Sequence, residues 1–125
     1  MDRSKVKTLV VDDMPSMRML IKSVLRDIGI SDVAEANDGE KAIEVLARDR
    51  FRLIICDWDM PRMSGLDVLR YVRGDGGHQH LPFIMLTANA SREHVAKAID
   101  AGVTDYLAKP FKPADLVTKV FRVVR

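Results

Sequence analysis

The chain is poor in the features that announce a function at once. Its 125 residues hold one cysteine, Cys56, so an internal disulfide is excluded, and a thiol inside the apolar run "RLIICDWD" is expected to be structural and buried, not redox-active. No apolar run approaches the roughly 20 residues that span a bilayer. The N-terminal "MDRSKVKTLVV" carries no small-residue cleavage site after its short apolar stretch, so a secretory leader is not expected and a cytoplasmic location is. An excess of one charge is missing too: 20 basic against 18 acidic residues leave +2, dispersed along the chain, and the clustered basic face of a nucleic-acid binder is absent. There is no repeat, low-complexity tract or linker. The only long irregular stretch is the glycine-rich "RGDGGHQHLP", whose His78 and His80 stand at metal-ligand spacing with no acid set among them, so a solvated loop is expected there.

What is present is a soluble composition, 47% hydrophobic and 30% charged, and a length that suits a single domain spanning residues 1–125. Five short β-type runs stand out, at residues 7–11, 33–36, 53–56, 83–86 and 105–108. Helical segments lie between them. The first opens at Pro15, carries Met17, Leu20, Ile21, Val24, Leu25 and Ile28 at the spacing of one helix face, and stops at Gly29. The second starts near Gly39 and carries Ala42, Ile43 and Leu46. A third follows "SGLD", where Ser64 and Asp67 have capping-box spacing, and buries Leu66 and Leu69. The fourth, residues 91–101, is alanine-rich with only Val95 and Ile99 as larger apolar residues, which predicts loose attachment. The fifth starts at Pro113 and presents Leu116, Val117, Val120, Phe121 and Val124. Strands alternating with helices, the first and third strands continuously apolar, predict an α/β doubly wound parallel sheet with helices on both faces.

Ligands of such a sheet bind beyond the carboxyl ends of the strands, where the strand order reverses. The first strand runs into Asp12 and Asp13, the third into Asp57, Trp58 and Asp59, the fourth into Thr87 and Ala88, and the fifth into Lys109 and Pro110. Two carboxylates about 4 Å apart repel by roughly 4 kcal/mol at an effective dielectric near 20. A cation would offset that, and oxygen donors without nitrogen or sulfur suit a hard divalent ion, Mg²⁺ with Mn²⁺ as a substitute. Acids with a lysine and a hydroxyl opposite point to phosphoryl transfer, with Asp57 the best candidate nucleophile because its strand is the most apolar and therefore central. Trp58 is expected to be partly exposed beside the acids, and His94 to be an exposed helix residue.

The set "VVDD", "CDWDMPRMSG", "LTANA" and "DYLAKPF", in this order and spacing over almost the whole chain, closely resembles the receiver domain of two-component response regulators, and within that family the stand-alone, chemotaxis-type (CheY-like) regulators. The resemblance implies a flavodoxin-like five-stranded sheet in the order 2-1-3-4-5. It also implies roles by position: Asp57 accepts a phosphoryl group from a phosphohistidine of a histidine kinase; Asp13, Asp57 and the backbone carbonyl of Asp59 hold Mg²⁺, with Asp12 reaching it mainly through water; Lys109 and Thr87 meet the phosphoryl oxygens. The Lys109–Pro110 bond is expected to be cis. Tyr106 is expected to turn inward as Thr87 moves, reshaping an output face that includes Ala90, Arg92, Val95, Tyr106 and Lys119. The implied target is a protein such as the flagellar motor switch, bound by a monomer that neither enters the membrane nor binds nucleic acid.

Two positions depart from the common pattern of such regulators, Asp59 after the tryptophan and Asn89 after Thr87, and both are expected to alter the lifetime of the phosphorylated form. Three other readings compete: a receiver belonging to a larger or non-chemotaxis regulator; an aspartyl-nucleophile phosphatase, suggested by "DWD" but with its paired acids in the wrong order along the chain; and a flavin carrier, whose ligand phosphate "DDMPSM" would repel. The expected activity is self-catalysed phosphorylation with slow loss of the phosphoryl group, not enzymatic turnover.

Overall fold

In a computed structural model that describes residues 2–74 and 77–124, strands and helices alternate as the sequence pattern predicts. They run β1 (Thr8–Val11), α1 (Pro15–Asp27), β2 (Val33–Ala36), α2 (Gly39–Arg48), β3 (Leu53–Asp57), α3 (Gly65–Arg73), β4 (Phe83–Thr87), α4 (Arg92–Asp100), β5 (Asp105–Ala108) and α5 (Pro113–Val123), after a 3-10 turn at Arg3–Lys5. Lys7 lies outside β1, while β3 and β4 each run one residue further than expected and so include Asp57 and Thr87. The strands form one parallel sheet in the order β2-β1-β3-β4-β5. The order reverses at β1, which puts the crevice for a ligand at the carboxyl ends of β1 and β3.

Side-chain alternation divides the core. Leu9, Val11, Ile54, Cys56, Phe83 and Met85 pack on one side with Ala42, Leu46, Leu66, Val68 and Leu69. Val10, Leu53, Ile55, Ile84 and Leu86 pack on the other with Ile21, Val24, Leu25, Leu116 and Val120. Each fully buried leucine or isoleucine contributes about 1.5–3 kcal/mol, so the three central strands anchor the fold. Both faces being covered explains their lack of polar alternation.

Helix starts follow local chemistry. Pro15 occupies the first turn of α1, where the missing N–H costs nothing. Asp38 caps α2 and Ser91 caps α4, and Ser64 with Asp67 forms the predicted capping box of α3. Gly29 ends α1 with φ +90°, a conformation that favours glycine.

The edges of the predicted helix faces are corrected. Leu20, Ile99 and Phe121 are exposed, since apolar spacing locates the inward face of a helix but not its width. Phe121 instead lies beneath the Arg3 guanidinium, 5.3 Å from its ring centre. α4 buries only Ala98, in keeping with the weak stripe read from its sequence. Residues 75 and 76 of the glycine-rich loop and the final residue of the chain lie outside the described residues. His78 and His80 line a surface groove of about 700 Å³ with Arg50, Phe51 and Val123; these residues flank the amino ends of β3 and β4, at the sheet edge opposite Asp57.

Candidate functional site: an acid pocket facing a lysine

The carboxyl edge of the sheet holds its functional residues through backbone pairing that continues one step past the strands. Asp12 N–H donates to Ala36 O at 3.1 Å, Trp58 N–H to Leu86 O at 2.8 Å and Lys109 N–H to Thr87 O at 2.8 Å. Asp12, the segment after Asp57, and Lys109 are thereby tied to the sheet. Asp12 is fully buried and Asp57 is 3% exposed, while Asp13 is exposed.

Carboxylate oxygens of Asp12, Asp13 and Asp57 lie within 4.8 Å of one another. Lys109 Nζ answers them, 2.9 Å from Asp57 Oδ1 and 3.3 Å from Asp12 Oδ2. Three carboxylates against one ammonium leave an excess of negative charge in a largely buried place. The donor set is all oxygen, so it fits a hard divalent cation. Asp12 Oδ1 also accepts the Met14 N–H at 2.9 Å, coupling the acid to the start of α1. Asp57 Oδ1 takes the Lys109 bond and a 3.4 Å bond from the Asp59 N–H, so Oδ2 is the oxygen with no hydrogen-bond partner among the described residues.

Burial is the largest influence on Asp57 and raises its pKa; the Lys109 hydrogen bond pulls it down, the Asp12 charge pushes it up, and the net shift is upward. For Lys109 burial alone would lower the pKa, but the Asp57 hydrogen bond and the charges of Asp12 and Asp57 outweigh it and raise it. The ammonium therefore stays protonated throughout the physiological range. The Cys56 thiol, wholly buried behind Asp57, is pushed well up, first by burial and then by the Asp57 charge, as expected of an unreactive structural cysteine.

The other expected site residues take varied places. Asp59 is exposed, and its side chain is not a member of the carboxylate cluster. Thr87 is buried at the end of β4, but its hydroxyl turns onto its own loop, donating to Asn89 O and accepting from Asn89 N–H, both at 3.0 Å. Tyr106 is half-buried, with Lys119 Nζ 5.6 Å from its ring centre and 3.0 Å from Asp105. Ala90 and Arg92 are exposed and Val95 is half-buried. Lys109–Pro110 is cis.

Two features contradict or escape the sequence reading. Trp58 is 7% exposed, not partly exposed, because the His94 ring stacks on it at 3.7 Å between centres; His94 is correspondingly half-buried. Gly65 is required by contact: a Cβ there would collide with the Asp57 carbonyl and stand 2.9 Å from Met85 Sδ. "SG" before a helix carries only a capping signal, and nothing in the sequence pattern tells of the close approach.

A parallel sheet reversing at β1, with buried acids at the reversal facing a lysine, defines an acidic, cation-suited crevice on a doubly wound fold. The response regulator receiver domain family matches residues 8–121, and the chain belongs to that family. It is 43% identical over 118 residues to the chemotaxis protein CheY of Pseudomonas aeruginosa, covering 94% of this chain and 95% of that one. The structure of Vibrio cholerae CheY4 superposes with a TM-score of 0.87 at 36% identity, over 94% of this chain and 98% of that one. The receiver domain of a Pseudomonas aeruginosa sensor histidine kinase, described with a magnesium ion coordinated in its active-site cleft, superposes at 0.83 with 34% identity, over 94% and 95%. The chain is thus a two-component receiver, a signalling module. Among its described residues no helix is long and apolar enough to cross a membrane.

Proposed function

We propose that residues 1–125 act as a single receiver in which Asp57 takes a phosphoryl group from the phosphohistidine of a histidine kinase and, once phosphorylated, changes the affinity of the α4–β5–α5 face for a target protein. One observation carries this reading: a buried Asp57 whose Oδ1 is held by Lys109 and whose Oδ2 has no hydrogen-bond partner among the described residues, its carboxylate clustered within 4.8 Å of two further acids.

Oδ2 attacks phosphorus, the P–N bond to the donor imidazole breaks, and its electron pair leaves with the nitrogen. The product is an acyl phosphate on Asp57. Asp13, Asp57 and the backbone carbonyl of Asp59 would hold Mg²⁺ or Mn²⁺, with Asp12 reaching it mainly through water, and the ion would supply neutralisation of the charge on the transferring group. The protein's own contribution is positioning. Lys109 shifts its hydrogen bond from Asp57 Oδ1 to the phosphoryl oxygens as they arrive. Thr87 leaves Asn89 to donate to another of them, which releases the loop after β4 and lets Tyr106 turn inward from beneath Lys119. Asp59 and Asn89, at the mouth of the pocket, set the lifetime of the acyl phosphate.

Likeness to chemotaxis proteins supports a soluble cytoplasmic monomer whose target is the flagellar motor switch. The test of the chemistry is incubation with Mg²⁺ and acetyl phosphate, followed by intact mass and peptide mapping. A single phosphate on Asp57, absent in Asp57→Asn, is expected. An unlabelled wild type overturns the proposal.

A further inference from the structure

Trp58 follows Asp57 directly, and its backbone is fixed on both sides: its N–H donates to Leu86 O at 2.8 Å and its carbonyl accepts the Gly65 N–H at 2.9 Å. Its indole is covered by the His94 ring, 3.7 Å away between centres and inclined by 27°. His94 lies in the first turn of α4, where its N–H donates to the Ser91 hydroxyl at 3.3 Å. The Ser91 N–H in turn donates to Asn89 Oδ1 at 3.0 Å, and Asn89 holds the Thr87 hydroxyl through both its backbone groups. The contacts therefore form a circuit that leaves the pocket at Asp57, passes through Trp58, His94, Ser91 and Asn89, and returns to it at Thr87. Since Ala98 is the only buried residue of α4, the stacked rings are a main attachment of that helix's first turn.

We infer that His94 is a positioning residue of the phosphoryl switch: its stack on Trp58 holds the start of α4, and with it the Thr87 loop, in the resting place, and unstacking accompanies the movement of Thr87 toward a phosphorylated Asp57. The contact is suited to release. Ring stacking favours it, but His94 Nε2 is buried with no hydrogen-bond partner among the described residues, and an unpartnered buried polar atom opposes the closed arrangement. The two effects have opposite signs, so the attachment is net weak and reversible. A phenyl ring in place of the imidazole would keep the stacking and remove the opposing contribution.

This inference rests on Asp57 as phosphoacceptor, and the experiment separates the two. Wild type, His94→Ala and His94→Phe are labelled with acetyl phosphate and Mg²⁺, and the initial rate of adduct formation is read by intact mass. Emission of Trp58, the only tryptophan, is recorded before labelling. His94→Ala is expected to label about twofold faster than wild type, the low end of what a lost ring pair corresponds to because Nε2 opposes the stack, and to shift Trp58 emission to the red as its cover is removed. His94→Phe is expected to keep the blue emission and to label no faster than wild type. If wild type is labelled and both variants match its rate, or if His94→Phe behaves as His94→Ala, the inference is overturned while the phosphoacceptor reading stands. An unlabelled wild type overturns the phosphoacceptor reading itself.

Discussion

The two flanks of the sheet's carboxyl edge are held in different ways. Around β1 and β3, Asp12 and Trp58 are gripped by backbone bonds that extend strand pairing, on strands whose every residue is buried; Lys109, which follows β5 and bonds to Thr87 O, reaches across to Asp57 and Asp12. On the other flank α4 buries one residue, and the loop before it is closed by side chains bonding to their own neighbours. The difference divides labour. For the proposed phosphoryl transfer, which is mostly positioning, the rigid flank suits Asp57, while the proposed switch needs an element with a low cost of local opening.

Substitutions on the two flanks should differ accordingly. Gly65→Ala forces a methyl group against the Asp57 carbonyl, and because backbone must yield, we expect a loss of about 3 kcal/mol and a distorted pocket. Ala98→Gly, which loosens α4 through helix propensity and one lost methyl, should cost only about 1–2 kcal/mol. Urea titration of both variants checks the ranking, and an equal cost would break the comparison.

Divalent metal should reinforce the rigid flank next. At about a hundredfold excess over its dissociation constant, Mg²⁺ should stabilise the wild type by about 2.7 kcal/mol, read as a rise in melting temperature. Asp13→Ala, which removes an exposed member of the cluster, should lose most of that rise. Retention of the full rise would move the metal elsewhere.

Without divalent metal the same pocket should be a liability. Asp57→Asn keeps an oxygen to accept from Lys109 and removes one of the crowded charges, so we expect stabilisation on the order of 1 kcal/mol near neutral pH. The sign follows from linkage. The folded-state pKa of Asp57 is raised above the ordinary 3.8, so between those two values the folded state holds more proton than the unfolded state. Wild-type stability from this group therefore falls as pH rises through that window. Asp57→Asn should show less of that fall, measured by denaturation at several pH values in a chelator.

Much of this is legible in the sequence. Strands buried on both faces read as unbroken apolar runs, and the acids, Thr87 and Lys109 follow directly at the carboxyl ends, so the placement of Asp12, Asp13, Asp57 and Lys109 at one edge could be read from the chain. Pairings made by distant side chains could not. The Trp58–His94 stack depends on how α4 lies against the end of β3, and no local pattern records that; a polar residue in an alanine-rich helix reads as solvated. The need for glycine at position 65 comes from a backbone approached by α3, and the Thr87 hydroxyl bonding to Asn89 comes from a turn whose signal is weak. Leu20, Ile99 and Phe121 show the limit of periodicity, which locates an apolar face but not its width.

The smallest expected effect asks what makes the rigid flank rigid. Arg18 bridges outward from it: Nη1 donates to Asp12 O at 2.7 Å and Nε to Glu35 at 3.1 Å, and Lys22 reaches Glu35 at 3.0 Å. The Lys22 hydrogen bond is the main reason the Glu35 pKa is lowered, so its contribution is present above the ordinary carboxylate value and lost as pH falls through the folded one. Glu35 is exposed, however, and screened surface pairs contribute little. Glu35→Gln should cost about 0.5 kcal/mol at low salt and less at high salt, with metal affinity and the rate of labelling unchanged. If strand pairing holds Asp12 in place, removing the carboxylate leaves the Arg18 bond to Asp12 O and the pocket as they were. A fall in metal affinity in Glu35→Gln would instead show that surface charge, acting through Arg18, shapes the acid cluster.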